Sequence, residues 1–97
     1  HGTLQRNFAP DILRRDFTIN AIFWDPTADR MIDLVHGIRD LRAGILKTVS
    51  TPAATFENDP IRMLRAIRIA FQFGLRINPD ILPVMKSLRQ LIGRVSP

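Results

Sequence analysis

Between Phe17 and Val49 the apolar residues come in short bursts divided by polar turns, whereas from Thr51 onward they recur at helical spacing. Pro10 and Asp11 open a short helical turn through Ile12 and Leu13 into two arginines. The apolar, partly β-branched stretch that follows Phe17 predicts a strand over 21–24, ended by Asp25-Pro26. A second short strand is expected over 31–35 and a third over 45–49, with a helix over 37–43 between them, closed by Gly44. Three strands this short cannot cover themselves, so at least one edge is expected to need a partner that the chain does not contain.

In the second half, Asp59-Pro60 is a helix start, because a carboxylate can cap free amides and proline is tolerated in the first turn. At about 100° per residue, Met63, Leu64, Ile67, Ala70 and Phe71 gather on the side expected to pack, while Arg62, Arg65 and Arg68 sweep the other. Gly74 ends that helix, and Asn78-Pro79-Asp80 starts another with Ile81, Leu82, Met85, Leu88, Leu91 and Ile92 at amphipathic spacing. The pair is expected to form an antiparallel helical hairpin. Val95-Ser96-Pro97 reads as a turn or helix start, an unusual signal at a terminus.

With 97 residues, 45% of them apolar, the chain is one modest domain or a piece of one. The absence of cysteine excludes disulfides and thiolate metal sites and fits a reducing, cytoplasmic setting. No apolar run has the length of a membrane span, and the first residues lack a signal-peptide pattern. Fourteen Lys and Arg stand against nine Asp and Glu, a net charge of +5 that favours polyanionic partners. Lysine occurs only at 47 and 86, so nearly all of the positive charge is arginine, whose planar fork suits bidentate phosphate contacts.

The candidate chemistry lies in two runs, Arg14-Arg15-Asp16-Phe17-Thr18-Ile19-Asn20-Ala21 and Asp59-Pro60-Ile61-Arg62-Met63-Leu64-Arg65-Ala66-Ile67-Arg68. Each joins a carboxylate to arginines able to reach phosphate, ribose or a base edge. No glycine-rich turn with a following Asp-x-Asp accompanies them, so the chain reads as a nucleotide pocket without the metal-dependent phosphoryl-transfer centre.

These two runs, with Ile32-Asp33, Gly37, Asp40-Leu41 and Ile45-Leu46-Lys47-Thr48-Val49 between them, resemble the class II tRNA nucleotidyltransferase and bacterial poly(A) polymerase family. The likeness covers the chain from about Pro10 to Pro97. It implies an α+β fragment: residues 1–50 as the C-terminal part of a nucleotidyltransferase head, and 51–97 as the start of an α-helical neck. The implied activity is template-independent addition of AMP, CMP or both from ATP or CTP to an RNA 3′ end, in CCA or A addition to tRNA or in polyadenylation. Mg2+ would be held by carboxylates upstream of this chain, which would therefore contain no catalytic residue and be inactive alone. The partners implied are RNA, nucleoside triphosphates and the rest of the parent enzyme's head and body.

On that resemblance, Arg15, Asp16, Asp59, Arg62, Arg65 and Arg68 bind the nucleotide, and Arg14, Asn20 and Asn58 support them. Asp59 accepts the exocyclic amino hydrogen of cytosine or adenine, and Arg62 donates to the neighbouring ring atom. Uracil and guanine present a carbonyl to the carboxylate, at a cost of about 1–3 kcal/mol. The bland alternative is a capping Asp59 in an intrahelical pair with Arg62, worth roughly 0.2–0.5 kcal/mol. Two positions depart from the family pattern: Asn58 replaces the usual glutamate, and His36 stands where an aromatic residue or glycine is expected. His36 is read as structural. Trp24, beside Ile22 and Phe23, is read as core rather than as a base-stacking platform. Two other classes compete with the enzyme reading: a non-catalytic basic RNA-binding module, and a helical interaction fragment that binds neither nucleotide nor RNA.

Overall fold

The computed structural model describes residues 14–89, so the expected turn from Pro10 to Leu13 and the positions of Leu91 and Ile92 lie outside the described residues. Its elements are a 3-10 turn Thr18–Asn20, β1 (Phe23–Asp25), β2 (Arg30–Ile32), α1 (Gly37–Ala43), β3 (Ile45–Leu46), α2 (Pro52–Asn58), α3 (Ile61–Phe73), β4 (Arg76–Ile77) and α4 (Ile81–Ser87).

Local chemistry sets most of these boundaries. The first strand starts later than expected, and β1 and β2 form an antiparallel pair with Phe23 opposite Ile32, Trp24 opposite Met31 and Asp25 opposite Arg30. The second strand stops at Ile32 instead of continuing to 35, because Asp33 turns to cap α1. Its two carboxylate oxygens accept from Gly37 N at 2.7 Å and Ile38 N at 2.8 Å. His36 takes the left-handed conformation at φ 62°, which accounts for the fit of glycine at this place and gives the histidine a backbone role. Helix α1 spans the expected residues and ends at Gly44, left-handed at φ 70°, whose N–H reaches the carbonyls of Asp40 and Leu41.

The third strand is shorter than expected, and its edge is closed from within the chain. β3 pairs in parallel with β4, as Arg76 N donates to Gly44 O at 2.7 Å and Asn78 N to Leu46 O at 2.9 Å. Beyond β3, Thr48 forms an antiparallel bridge with Phe17; Thr18 N donates to Lys47 O at 2.9 Å and Val49 N to Asp16 O at 3.0 Å.

Thr51 caps α2 through Oγ1, 3.2 Å from Ala54 N, with Pro52 in the first turn. A proline disfavours helical geometry in the residue before it, and Asp59 is indeed extended at φ −151°, ψ 97°. The break separates α2 from α3, which restarts with Pro60 at helical angles and the Asp59 carboxylate accepting from Ile61 N at 3.3 Å. Gly74, at φ 65°, ends α3. The expected two-helix hairpin is thereby modified: β4 intervenes between α3 and α4, and α4 packs against α2.

The core joins both halves of the chain. Phe17, Leu46, Phe56, Met63, Ala66, Ala70 and Ile81 are buried together, with the Phe17 and Phe56 rings 6.5 Å apart. On α3 the covered stripe is Met63, Ala66 and Ala70, so the expected packing side is only partly right. Leu64, Ile67 and Phe71 carry a second apolar stripe that is exposed, Phe71 at 91%. Helical periodicity locates both stripes but does not decide which one is covered. A Phe71→Ser substitution should therefore change the unfolding free energy by less than about 0.5 kcal/mol in a urea titration; a loss above about 1.5 kcal/mol would show that the ring is buried. Trp24 is likewise not core. It lies 55% exposed opposite the exposed Met31, on the outward face of the β1–β2 ribbon.

Candidate functional site

The bridge between Phe17 and Thr48 buries the Phe17 ring completely and with it anchors the preceding loop, so that Asp16 is only 4% exposed. A carboxylate so placed needs partners. Its Oδ1 accepts from Phe17 N at 2.8 Å and from Asn20 Nδ2 at 3.4 Å. Its Oδ2 lies 2.8 Å from Nη1 of Arg65, whose side chain remains about half exposed.

One turn earlier on α3, Arg62 points toward the same loop. Its Nη2 donates to the Arg14 carbonyl at 3.2 Å and its Nη1 to the Thr55 carbonyl at 3.3 Å. The first turns of α3 thus grip the loop twice, once by a charged pair and once by a backbone contact. They also tie the middle of α2 to it, through the Thr55 carbonyl. Arg15 extends from the same loop with its guanidinium carbon 5.1 Å from the centre of the Phe23 ring.

Two open pockets flank this junction. One, of about 370 Å³, is lined by Arg14, Arg15, Asp16, Asn20, Arg62 and Arg65. The other, of about 550 Å³, is lined by Arg14, Arg15, Ser50, Ala54, Thr55, Asn58 and Arg62. Both fall within the range of small-molecule sites, and they share Arg14, Arg15 and Arg62. The first has four arginines and one carboxylate in its lining, the carboxylate engaged by Arg65, a residue set suited to a polyanion.

Of the nine residues singled out in the sequence, seven line one or both pockets. Asp59 and Arg68 line neither. Asp59 is exposed at the α2–α3 break, and Arg68 is exposed further along α3. The intrahelical ion pair between Asp59 and Arg62 is not among the contacts of the described residues, where Arg62 engages carbonyl oxygens instead. Sequence reasoning missed the α2 wall of Ser50, Ala54 and Thr55. The Thr51-Pro52 helix start was the available signal for a helix there. Among the described residues no three acidic, histidine or cysteine side chains gather in a way that could hold a metal ion. Nor is any described helix long and apolar enough to cross a membrane.

Comparison with known proteins places this arrangement. Residues 3–47 match the family described as the poly(A) polymerase head domain. Over 87 residues, 90% of the chain, the sequence is 36% identical to poly(A) polymerase I of Escherichia coli O6:H1, covering 19% of that protein. Over 90 residues, 93% of the chain, it is 42% identical to the CCA-adding enzyme of Oceanobacillus iheyensis, covering 22% of it. The chain belongs to the family of CCA-adding enzymes and bacterial poly(A) polymerases.

Solved structures of that family share its fold. The Bacillus stearothermophilus CCA-adding enzyme in complex with CTP superposes with a TM-score of 0.83 at 34% identity, over 89% of this chain and 22% of that one. A CCA-adding enzyme in complex with ATP gives a TM-score of 0.76 at 35% identity, over 90% and 21% respectively. The small α+β architecture of four helices and short strands is that of CCA-adding enzymes. The chain spans about a fifth of the length of the curated relatives it matches.

Proposed function

We propose that this chain is the nucleotide-holding part of an RNA nucleotidyltransferase that adds AMP, CMP or both from nucleoside triphosphates to RNA 3′ ends without a template. Residues up to about 50 belong to its head and those from 51 to its helical neck. The observation that carries the reading is the convergence of Arg14, Arg15, Arg62 and Arg65 around two connected pockets, in a family whose solved members include complexes with CTP and ATP. Arg14, Arg15, Arg62 and Arg65 attract the triphosphate. The half-polar pocket against α2 receives the nucleoside, with Arg62 on its wall; Asp59, exposed at the α2–α3 break outside that lining, reads the base edge from the rim. Arg68 extends the basic side of α3 toward nucleotide or RNA.

Mg2+, where bound by the parent enzyme, would supply charge neutralisation for the pyrophosphate and the RNA hydroxyl. Its ligands belong to the parent enzyme outside the described residues, and the reaction proceeds in the cytoplasm with tRNA or another RNA 3′ end as acceptor. The part of this chain's described residues is to bind and orient the nucleotide.

Titration calorimetry of the chain with ATP, CTP, GTP and UTP tests the reading. ATP and CTP should bind more tightly than GTP and UTP. Arg62→Ala should weaken ATP binding at least tenfold, about 1.4 kcal/mol, because it removes a pocket cation and releases the Arg14 loop. Asp59→Ala should erase the base preference. Binding of all four nucleotides that survives Arg62→Ala unchanged would sink the proposal. Salt-dependent RNA binding without any nucleotide binding would replace it with the basic RNA-binding module.

A further inference from the structure

One ridge of α3 begins in the pockets and ends outside them. Arg62, Arg65, Arg68 and Phe71 stand three positions apart on this helix, and residues so spaced are neighbours in a single row on a helix surface. The row climbs about 13 Å from Arg62 to Phe71. Arg62 and Arg65 belong to the pocket walls. Arg68 is exposed, and its guanidinium makes no ion pair among the described residues. Phe71 closes the row with a ring that is 91% exposed. No acidic residue occurs anywhere in α3, so nothing on the helix itself neutralises the row.

Resting on the nucleotide reading above, we infer that this ridge is a track for the single-stranded 3′ end of the RNA acceptor, with one base stacked on Phe71 and the adjoining phosphate on Arg68. An exposed aromatic ring offers a face to any base, and such stacking is tolerant of which base it is. The unpaired guanidinium one turn away is the matching phosphate donor. Each nucleotide of a single strand carries both complements, a flat ring and an anion. A second copy of this chain does not, because it would set Arg68 against another helix that has arginines and no acid. A foreign helix laid on Leu64, Ile67 and Phe71 would have to bring a carboxylate of its own for Arg68. The direction of the row also suits the reaction. A strand running from Phe71 past Arg68 toward Arg65 delivers its terminal hydroxyl to the pocket assigned to the triphosphate, while its stacked base stays outside that pocket.

The test measures binding of a fluorescently labelled RNA strand of about eight nucleotides to the whole 97-residue chain and to Phe71→Ala, Phe71→Leu, Phe71→Trp and Arg68→Ala, by anisotropy over a range of salt. The Phe71 ring is outside the core, so its variants should fold, as circular dichroism checks. Phe71→Ala should weaken RNA about tenfold. Phe71→Leu should fall with it, since leucine keeps apolar area and lacks the ring face, whereas Phe71→Trp should bind at least as tightly as the native chain. Arg68→Ala should lower the slope of log affinity against log salt by about one. RNA affinity that none of the Phe71 variants moves overturns the inference, and so does a leucine variant that binds like the native chain, which would make the stripe a protein-packing surface. ATP affinity of the same samples separates the two readings. If the folded chain binds ATP and no RNA, this inference fails and the nucleotide site stands; if it binds RNA through Phe71 and no ATP, the track stands and the nucleotide reading fails.

Discussion

Replacing Asp16 by alanine should destabilise the protein by about 3 kcal/mol, a fall in melting temperature of about 12–24 °C for a domain of this size. The substitution removes the acceptor of Phe17 N and of Asn20 Nδ2 and the partner of Arg65 at once. Phe17 N, beside a fully buried ring, then has no side-chain acceptor, which is the costly part. The Arg65 contribution is smaller, since its guanidinium is half in water and can be resolvated. Arg65→Ala should accordingly cost about 1 kcal/mol, and Asp16→Asn should fall between the two because an amide oxygen still accepts from Phe17 N. Thermal unfolding followed by circular dichroism measures all three. An Asp16→Ala variant within about 0.5 kcal/mol of the native chain would show that the carboxylate does not organise the loop.

Gly37→Ala should be comparably damaging, for a steric reason. A Cβ at this first residue of α1 would collide with the Thr18 carbonyl oxygen and stand 2.9 Å from Cγ1 of Ile22. The Thr18 backbone is held in place. The Thr18 carbonyl accepts from Ala21 N at 3.1 Å, and the Thr18 hydroxyl is fastened to the buried Asp40 at 2.7 Å. Alanine is intrinsically the better helix residue by about 1 kcal/mol, but overpacking against fixed backbone outweighs that gain. The expected net loss is about 2–3 kcal/mol in urea unfolding. Gly44→Ala provides the contrast. Nothing lies within 4 Å of a Cβ there, so its cost, about 1 kcal/mol, comes from the left-handed backbone alone. Equal losses at the two glycines would refute the collision.

What the sequence disclosed follows from how local each signal is. The span of α1 was legible because its C-terminal glycine is a nearby, single-residue device, and so was the end of α3 at Gly74. The break between α2 and α3 was written in Pro60. The pairing of β3 with β4 was not, since two-residue strands have no periodicity to detect and their hydrogen bonds join segments about thirty positions apart. At the candidate site, the residue types of the two motifs announced an arginine-rich junction, and seven of the nine named residues line one or both of its two pockets. Their joining was invisible. Arg62 reaches a backbone carbonyl 48 positions away, and a carbonyl has no identity in the sequence. The exposure of Trp24 escaped for a related reason: alternation along a short strand gives two faces without saying which is inward.

On the proposed function, a nucleoside triphosphate sits between the Arg14–Asn20 loop and the start of α3. Backbone amide chemical shifts of the isotopically labelled chain, recorded during an ATP titration, test it most directly. Saturable shifts are expected at residues 14–20 and 55–65, lost in Arg62→Ala, with little change along α4. Shifts confined to other surfaces, such as the Trp24 face of the β1–β2 ribbon, or none at saturating ATP in the folded chain, would contradict it.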